Sequence, residues 1–197
     1  MGILVIITVD RNRHPVLVTT ANTCGCYVSI TATSFLPRQA YPDSWPIKEQ
    51  PIYGEILPAR LTIDYPDSEL RISIRPEVHR VMNIEIVPPH AENKFHTVTA
   101  GLLPLAILKS LQLSDGKFTS MYYDTWPLRG HVKGAIKPWE TLLLSLVSLD
   151  LFVGMDKEYG RTAETGNSFY TSLLPWNRKA SDMNDFARFL RFYDWKL

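Results

Sequence analysis

Cysteine is almost missing from this chain: Cys24 and Cys26 are the whole supply in 197 residues. Specific zinc and redox patterns space their thiols by two residues and add a second ligand pair. Here one residue intervenes, and no second pair exists. Glycine is scarce as well, ten against fourteen prolines, which predicts rigid turns and short elements. No G-x-G-x-x-G or G-x-x-x-x-G-K loop is present, which disfavours the nucleotide folds built on them. The G-x-S-x-G elbow of one large hydrolase class is missing too.

No charge of one sign dominates. Lys and Arg number 21 and Asp and Glu 20, a net charge of +1. A protein that clamps a phosphate backbone carries a basic surplus or stripe. The densest basic stretches, Arg11-Asn12-Arg13-His14 and Arg178-Lys179, are too short for that, so nucleic acid is disfavoured as the main partner.

Long hydrophobic runs are missing. The apolar opening stops at Asp10 and has neither a basic leader nor a small-residue cleavage site. The run from Leu142 to Val153 is broken by Ser145, Ser148 and Asp150 and falls short of a membrane span. The chain enters a strand-like run two residues after Met1 and stops at Leu197 directly after an amphipathic segment. Ends this abrupt contrast with the polar, frayed termini that are common. They raise the expectation of a trimmed chain from which a leader or anchor was removed.

What is present is β pattern early and helical pattern late. Residues 3–9 and 15–20 are apolar and β-branched, with a polar turn at 10–14, which predicts a hairpin. Tyr27 to Thr33 alternates apolar and small polar residues, as a half-buried strand does. Residues 36–58 carry Pro37, Pro42, Pro46, Pro51 and Pro58, which predicts an ordered surface excursion with no long helix or central strand. Phe35, Tyr41, Trp45 and Tyr53 would anchor it. Strands are expected again over 59–64, 69–74 and 81–87, with Leu70, Ile72 and Ile74 on a buried face. Pro104 would open a helix over 105–113, and 117–123 reads as a strand. Further helices are expected over 139–152 and from Ser181 onward.

Strands therefore gather in residues 1–90 and helices in 100–197. That segregation predicts an α+β fold: a strand-rich N-terminal half, mostly antiparallel hairpins, packed with helices from the C-terminal half. One domain over 1–197 is the simplest organisation, and 88–95 is the one candidate boundary.

Candidate sites are few. If the backbone at Cys24 and Cys26 is extended, both sulfurs share a face. With His90 and His96 they form a candidate set for a divalent metal, although structural thiols explain the pair more simply. Tyr41, Trp45, Tyr53 and Trp126 are candidates for a groove that takes a ring-bearing ligand. The plainer explanation is that they staple proline-rich loops to the core. Asp150, Asp156 and Glu158 read as salt bridges or caps beside Lys157 and Arg161.

The leading functional expectation is a binding or accessory domain with a protein or small-ligand partner. One alternative is a metal-binding protein using Cys24, Cys26 and histidine. Another is an enzyme whose site is assembled from distant residues, thiol-dependent in its simplest form.

Overall fold

The computed structural model describes residues 3–22, 28–52, 54–65, 67–76, 80–89, 96, 98–126, 129–130, 132–133 and 185–197. The polar turn expected after the first apolar run does form. Strand β1 (Ile3–Val9) pairs antiparallel with β2 (Pro15–Asn22) from Ile3 opposite Asn22 to Val9 opposite Pro15. Asp10 closes the turn. Its carboxylate accepts the backbone N–H of Asn12 and of His14, each at 2.8 Å, and lies 3.1 Å from His14 Nδ1. Desolvation raises the Asp10 pKa, but these hydrogen bonds outweigh it and hold the carboxyl below its ordinary value. Arg13 takes a positive φ of 67° to complete the turn. The His14 ring stacks on Phe35, with centroids 4.5 Å apart.

Strand β3 (Val28–Thr33) adds antiparallel to β2, and the two-residue β6 (Arg60–Leu61) adds parallel to β3 at Ala32 and Thr33. The sheet order is β1-β2-β3-β6. Leu4, Ile6, Leu17, Ala21, Val28, Ile30 and Ala32 share one face. Ile3, Val5, Ile7 and Val18 share the other.

Both faces are covered. A half-buried β3 was expected, yet all six of its residues are buried. Ser29, Thr31 and Thr33 lie inside because their hydroxyls find internal partners. Thr20 and Ser29 share a hydrogen bond of 2.6 Å, Thr31 donates to Pro58 O, and Thr33 donates to Pro15 O.

The second face is covered by two hairpins. The proline-rich excursion contains one of them, β4 (Glu49–Ile52) with β5 (Glu55–Pro58). The prolines fit because only every second residue points inward. Gln50, Ile52 and Leu57 are buried, while Pro51 and Ile56 face out. The other hairpin is β7 (Glu69–Arg75) with β8 (Arg80–Val87). Val81 and Ile84 join Ile52, Leu57 and Val18 in one cluster. Of the face expected to be buried on β7, only its middle is covered: Ile72 packs against this cluster, while Leu70 and Ile74 are exposed. Arg75 reaches Glu55 at 2.6 Å and ties the two hairpins together.

Gly54 turns the first hairpin with φ +84°, and a Cβ there would meet nothing within 4 Å. Gly54→Ala is therefore expected to cost about 1–2 kcal/mol from the backbone alone. The shift of a urea midpoint at unchanged slope checks this.

The first face is covered by the chain's end and by loops. Phe189, Leu190, Tyr193 and Trp195 pack with Leu36, Tyr41, Tyr122 and Val132 on Ile6, Leu17 and Ile30. Helix α1 (Phe186–Phe192) is capped by the Asp185 side chain, which accepts the Arg188 N–H.

The expected α+β class is corrected by these elements. Among the described residues the chain has ten strands and one seven-residue α-helix, and no layer of helices lies on the sheets. The helix predicted over 105–113 is instead a 3-10 turn (Leu105–Lys109) followed by β9 (Leu111–Gln112), which pairs with β10 (Phe118–Thr119). Pro104 provides no side-chain cap there, and no acidic residue occupies the first turn. The strand expected over 117–123 is reduced to β10 and a bridge from Tyr122 to Val132. The helix over 139–152, the start at Ser181 and residues 90–95 of the candidate boundary at 88–95 lie outside the described residues.

Candidate binding surface

The uncharged stretch 98–108, Val-Thr-Ala-Gly-Leu-Leu-Pro-Leu-Ala-Ile-Leu, leads into the 3-10 turn and the β9–β10 hairpin. One side of this arm is fixed to the core. Leu105, Leu108 and Met121 pack against the cluster that holds Tyr122 and Val132. Backbone bonds lock that side: Met121 N–H to Leu108 O at 2.8 Å, and Lys133 N–H to Met121 O at 2.8 Å. Leu113 N–H to Lys117 O at 2.7 Å closes the hairpin, and Gly116 turns it with φ +82°.

Other side chains of the segment are apolar and open. Val98, Leu102, Leu103, Phe118 and Trp126 are 80, 76, 69, 67 and 85% exposed. Ile107 and Leu113 add to them. A scattered exposed leucine is ordinary; a run of large apolar side chains on one anchored arm is not. Charge is sparse here, with Lys109, Asp115 and Lys117 the only charged side chains between Val98 and Tyr123. Asp115 and Lys117 meet each other at 3.2 Å.

The structure separates the four aromatic candidates. Tyr41 is buried and packs on Trp195 at 5.6 Å between centroids, and its hydroxyl donates to Thr33 O at 3.4 Å. Burial pushes its phenol pKa up, although Arg60 and Arg38 pull it back. Trp45 meets the edge of Trp195 at 4.7 Å and donates its indole N–H to Ala59 O at 3.1 Å. Both rings are spent on holding the C-terminal segment. Tyr53 lies outside the described residues, and Trp126 belongs to the open arm. Of the metal candidates, Cys24, Cys26 and His90 lie outside the described residues, and His96 is exposed. Among the described residues no three His, Cys, Asp or Glu side chains gather as a metal would require.

Sequence reasoning passed over Leu102, Leu103 and Phe118. Leu102 and Leu103 precede the helix expected over 105–113, and Phe118 falls in the strand expected over 117–123, so the charge-free run is the signal that could have found them. Among the described residues no helix is long and apolar enough to cross a membrane. No family model, no curated protein and no solved structure matches this chain.

Proposed function

We propose that the chain is a binding or accessory domain that engages a protein partner through the open side of residues 98–126. The observation that supports this reading is the anchored arm carrying Leu102, Leu103, Phe118 and Trp126 in water. Apolar area of this kind gains about 25 cal/mol per Å² when it is covered. These side chains are mostly exposed, so a protein surface suits them better than a small ligand, which needs a concave site that buries most of it. Aromatic anchors with few charges are also the composition of an interface centre.

Site-specific photo-cross-linking tests this reading. A photoreactive phenylalanine analogue at position 118 or 126 is expected to give one discrete protein adduct in the cells that make the chain. The same group at the exposed Lys48 is expected to give none. Leu103→Glu should weaken capture about tenfold or more, because a carboxylate would be buried without a partner. Equal adducts from position 48, or no adduct from the arm, would remove the support.

A further inference from the structure

We propose that β1 is a self-pairing edge: a second copy of this chain adds its own β1 antiparallel, so that two four-stranded sheets become one. Among the described residues β1 is hydrogen-bonded to β2 alone, which leaves its other side at the edge of the sheet. An edge strand offers a row of N–H and C=O groups to any extended segment, and proteins usually blunt it with charge, proline or short length. The other edges are blunted in these ways. β6, β9 and β10 have two residues each, β4 and β5 carry Pro51 and Pro58, and β7 and β8 carry Glu69, Arg71, Arg75 and Glu85. β1 runs seven residues, Ile-Leu-Val-Ile-Ile-Thr-Val, with no charge, no proline and no glycine. Its one irregularity in register falls at its end, between Thr8 and Val9.

The pattern of β1 selects its partner. Both faces of the sheet are apolar at this edge, with Ile3, Val5 and Ile7 on one and Leu4 and Ile6 on the other. An incoming strand must therefore be apolar on both faces, and β1 meets that requirement itself. A two-fold axis at Ile6 sets Val5 opposite Ile7, Leu4 opposite Thr8 and Ile3 opposite Val9, each pair on a common face. Such pairs are the unit of sheet stabilisation.

Charge selects the antiparallel sense. Asp10, Arg11 and Arg13 follow β1 directly. A parallel partner would set the two charged turns side by side. The antiparallel one separates the two Asp10 residues by eight strand positions, about 27 Å, well beyond the screening length in physiological salt. A single strand pair buries less than the roughly 1,200–2,000 Å² of a standard interface, so the dimer depends on concentration.

Sedimentation of the full chain over a concentration series tests the proposal. The mass is expected to climb from one chain toward two, with slower amide exchange across 3–9 at high concentration. Two variants fix the register. Ile3→Lys with Val9→Lys sets like charges opposite each other at both ends of the strand pair and should abolish the dimer. Ile3→Lys with Val9→Glu sets opposite charges there and should restore it, with dissociation constants about tenfold or more apart. Both variants lose the same Ile3 packing, and among the described residues the strand partners of positions 3 and 9 within one chain are the uncharged Asn22 and Pro15. A difference between them therefore reports on the contact between chains. The exchange readout needs no variant and stands if both fold poorly. Leu103→Glu on the arm should leave the dimer unchanged. A mass and an exchange pattern that ignore concentration would overturn the proposal, and so would equal dissociation constants for the two charge variants.

Discussion

Trp195→Ala is expected to lower the unfolding free energy by about 3–5 kcal/mol, the range for emptying a large buried aromatic site. Trp195 is 1% exposed and is the largest of the fully buried side chains among the described residues. It is the keystone between the chain's end and the loop after β3. Tyr41 and Trp45 both lean on its ring, and Lys196 N–H bonds Ala40 O at 3.0 Å beside it. The backbone is bent to deliver it. Asp194 takes a φ of +61°, and Trp195 N–H returns to Leu190 O at 3.1 Å to close the end of α1. Removing the indole leaves a void under three segments that cannot collapse together without breaking those bonds. The loss is a large part of the total stability of an ordinary domain. Trp195→Phe should cost much less. It keeps a ring in the site, and the indole N–H it removes is buried with no hydrogen-bond partner among the described residues. A denaturant titration of both variants checks this. A loss under about 1 kcal/mol for Trp195→Ala would mean that the C-terminal segment does not hold the first face.

How far the sequence reveals this arrangement depends on whether the signal is local. The β1–β2 hairpin is legible because an apolar run is interrupted by Asp10, whose carboxylate caps the turn within four residues. The strand at 80–87 is legible for the same kind of reason. The layering is not. Nothing near Arg60 or Leu61 indicates that they pair parallel with Ala32 and Thr33, since that contact is set by the whole path between them. The prolines of 36–58 argue against strands only if strands are central. Pro51 and Pro58 show that a two-stranded edge hairpin tolerates them. The helix reading of 105–113 failed on a different assumption. Leu105 and Leu108 do pack inward at helical spacing, but Leu113 and Ile107 stay in water, so no continuous face exists to reward a helix. Apolar does not mean buried either: Leu102, Leu103 and Phe118 are apolar and stay exposed.

Gln50 carries no signal in the sequence, yet its buried amide makes three close contacts. Gln50→Leu is expected to cost about 1–3 kcal/mol despite conserving bulk and adding apolar area. Its side chain is 2% exposed, and the amide nitrogen donates to Ile30 O at 2.8 Å and to Pro58 O at 3.0 Å, with Thr31 Oγ1 at 3.3 Å. The parallel pairing of β3 with β6 covers only Ala32 and Thr33, so the ladder stops short of Ile30 on that side. The Gln50 amide takes the place of the missing strand there. Leucine would leave Ile30 O buried without that donor, whereas Pro58 O would keep the hydroxyl of Thr31. The main loss is therefore one buried carbonyl and the side-chain tie between β4 and β3. Gln50→Glu should be worse at neutral pH, because a buried carboxylate can only accept where the two carbonyl oxygens of Ile30 and Pro58 already converge. The order wild type, then Leu, then Glu in urea midpoints is the expected result. A Leu variant as stable as wild type would show that β3 is sealed by other means.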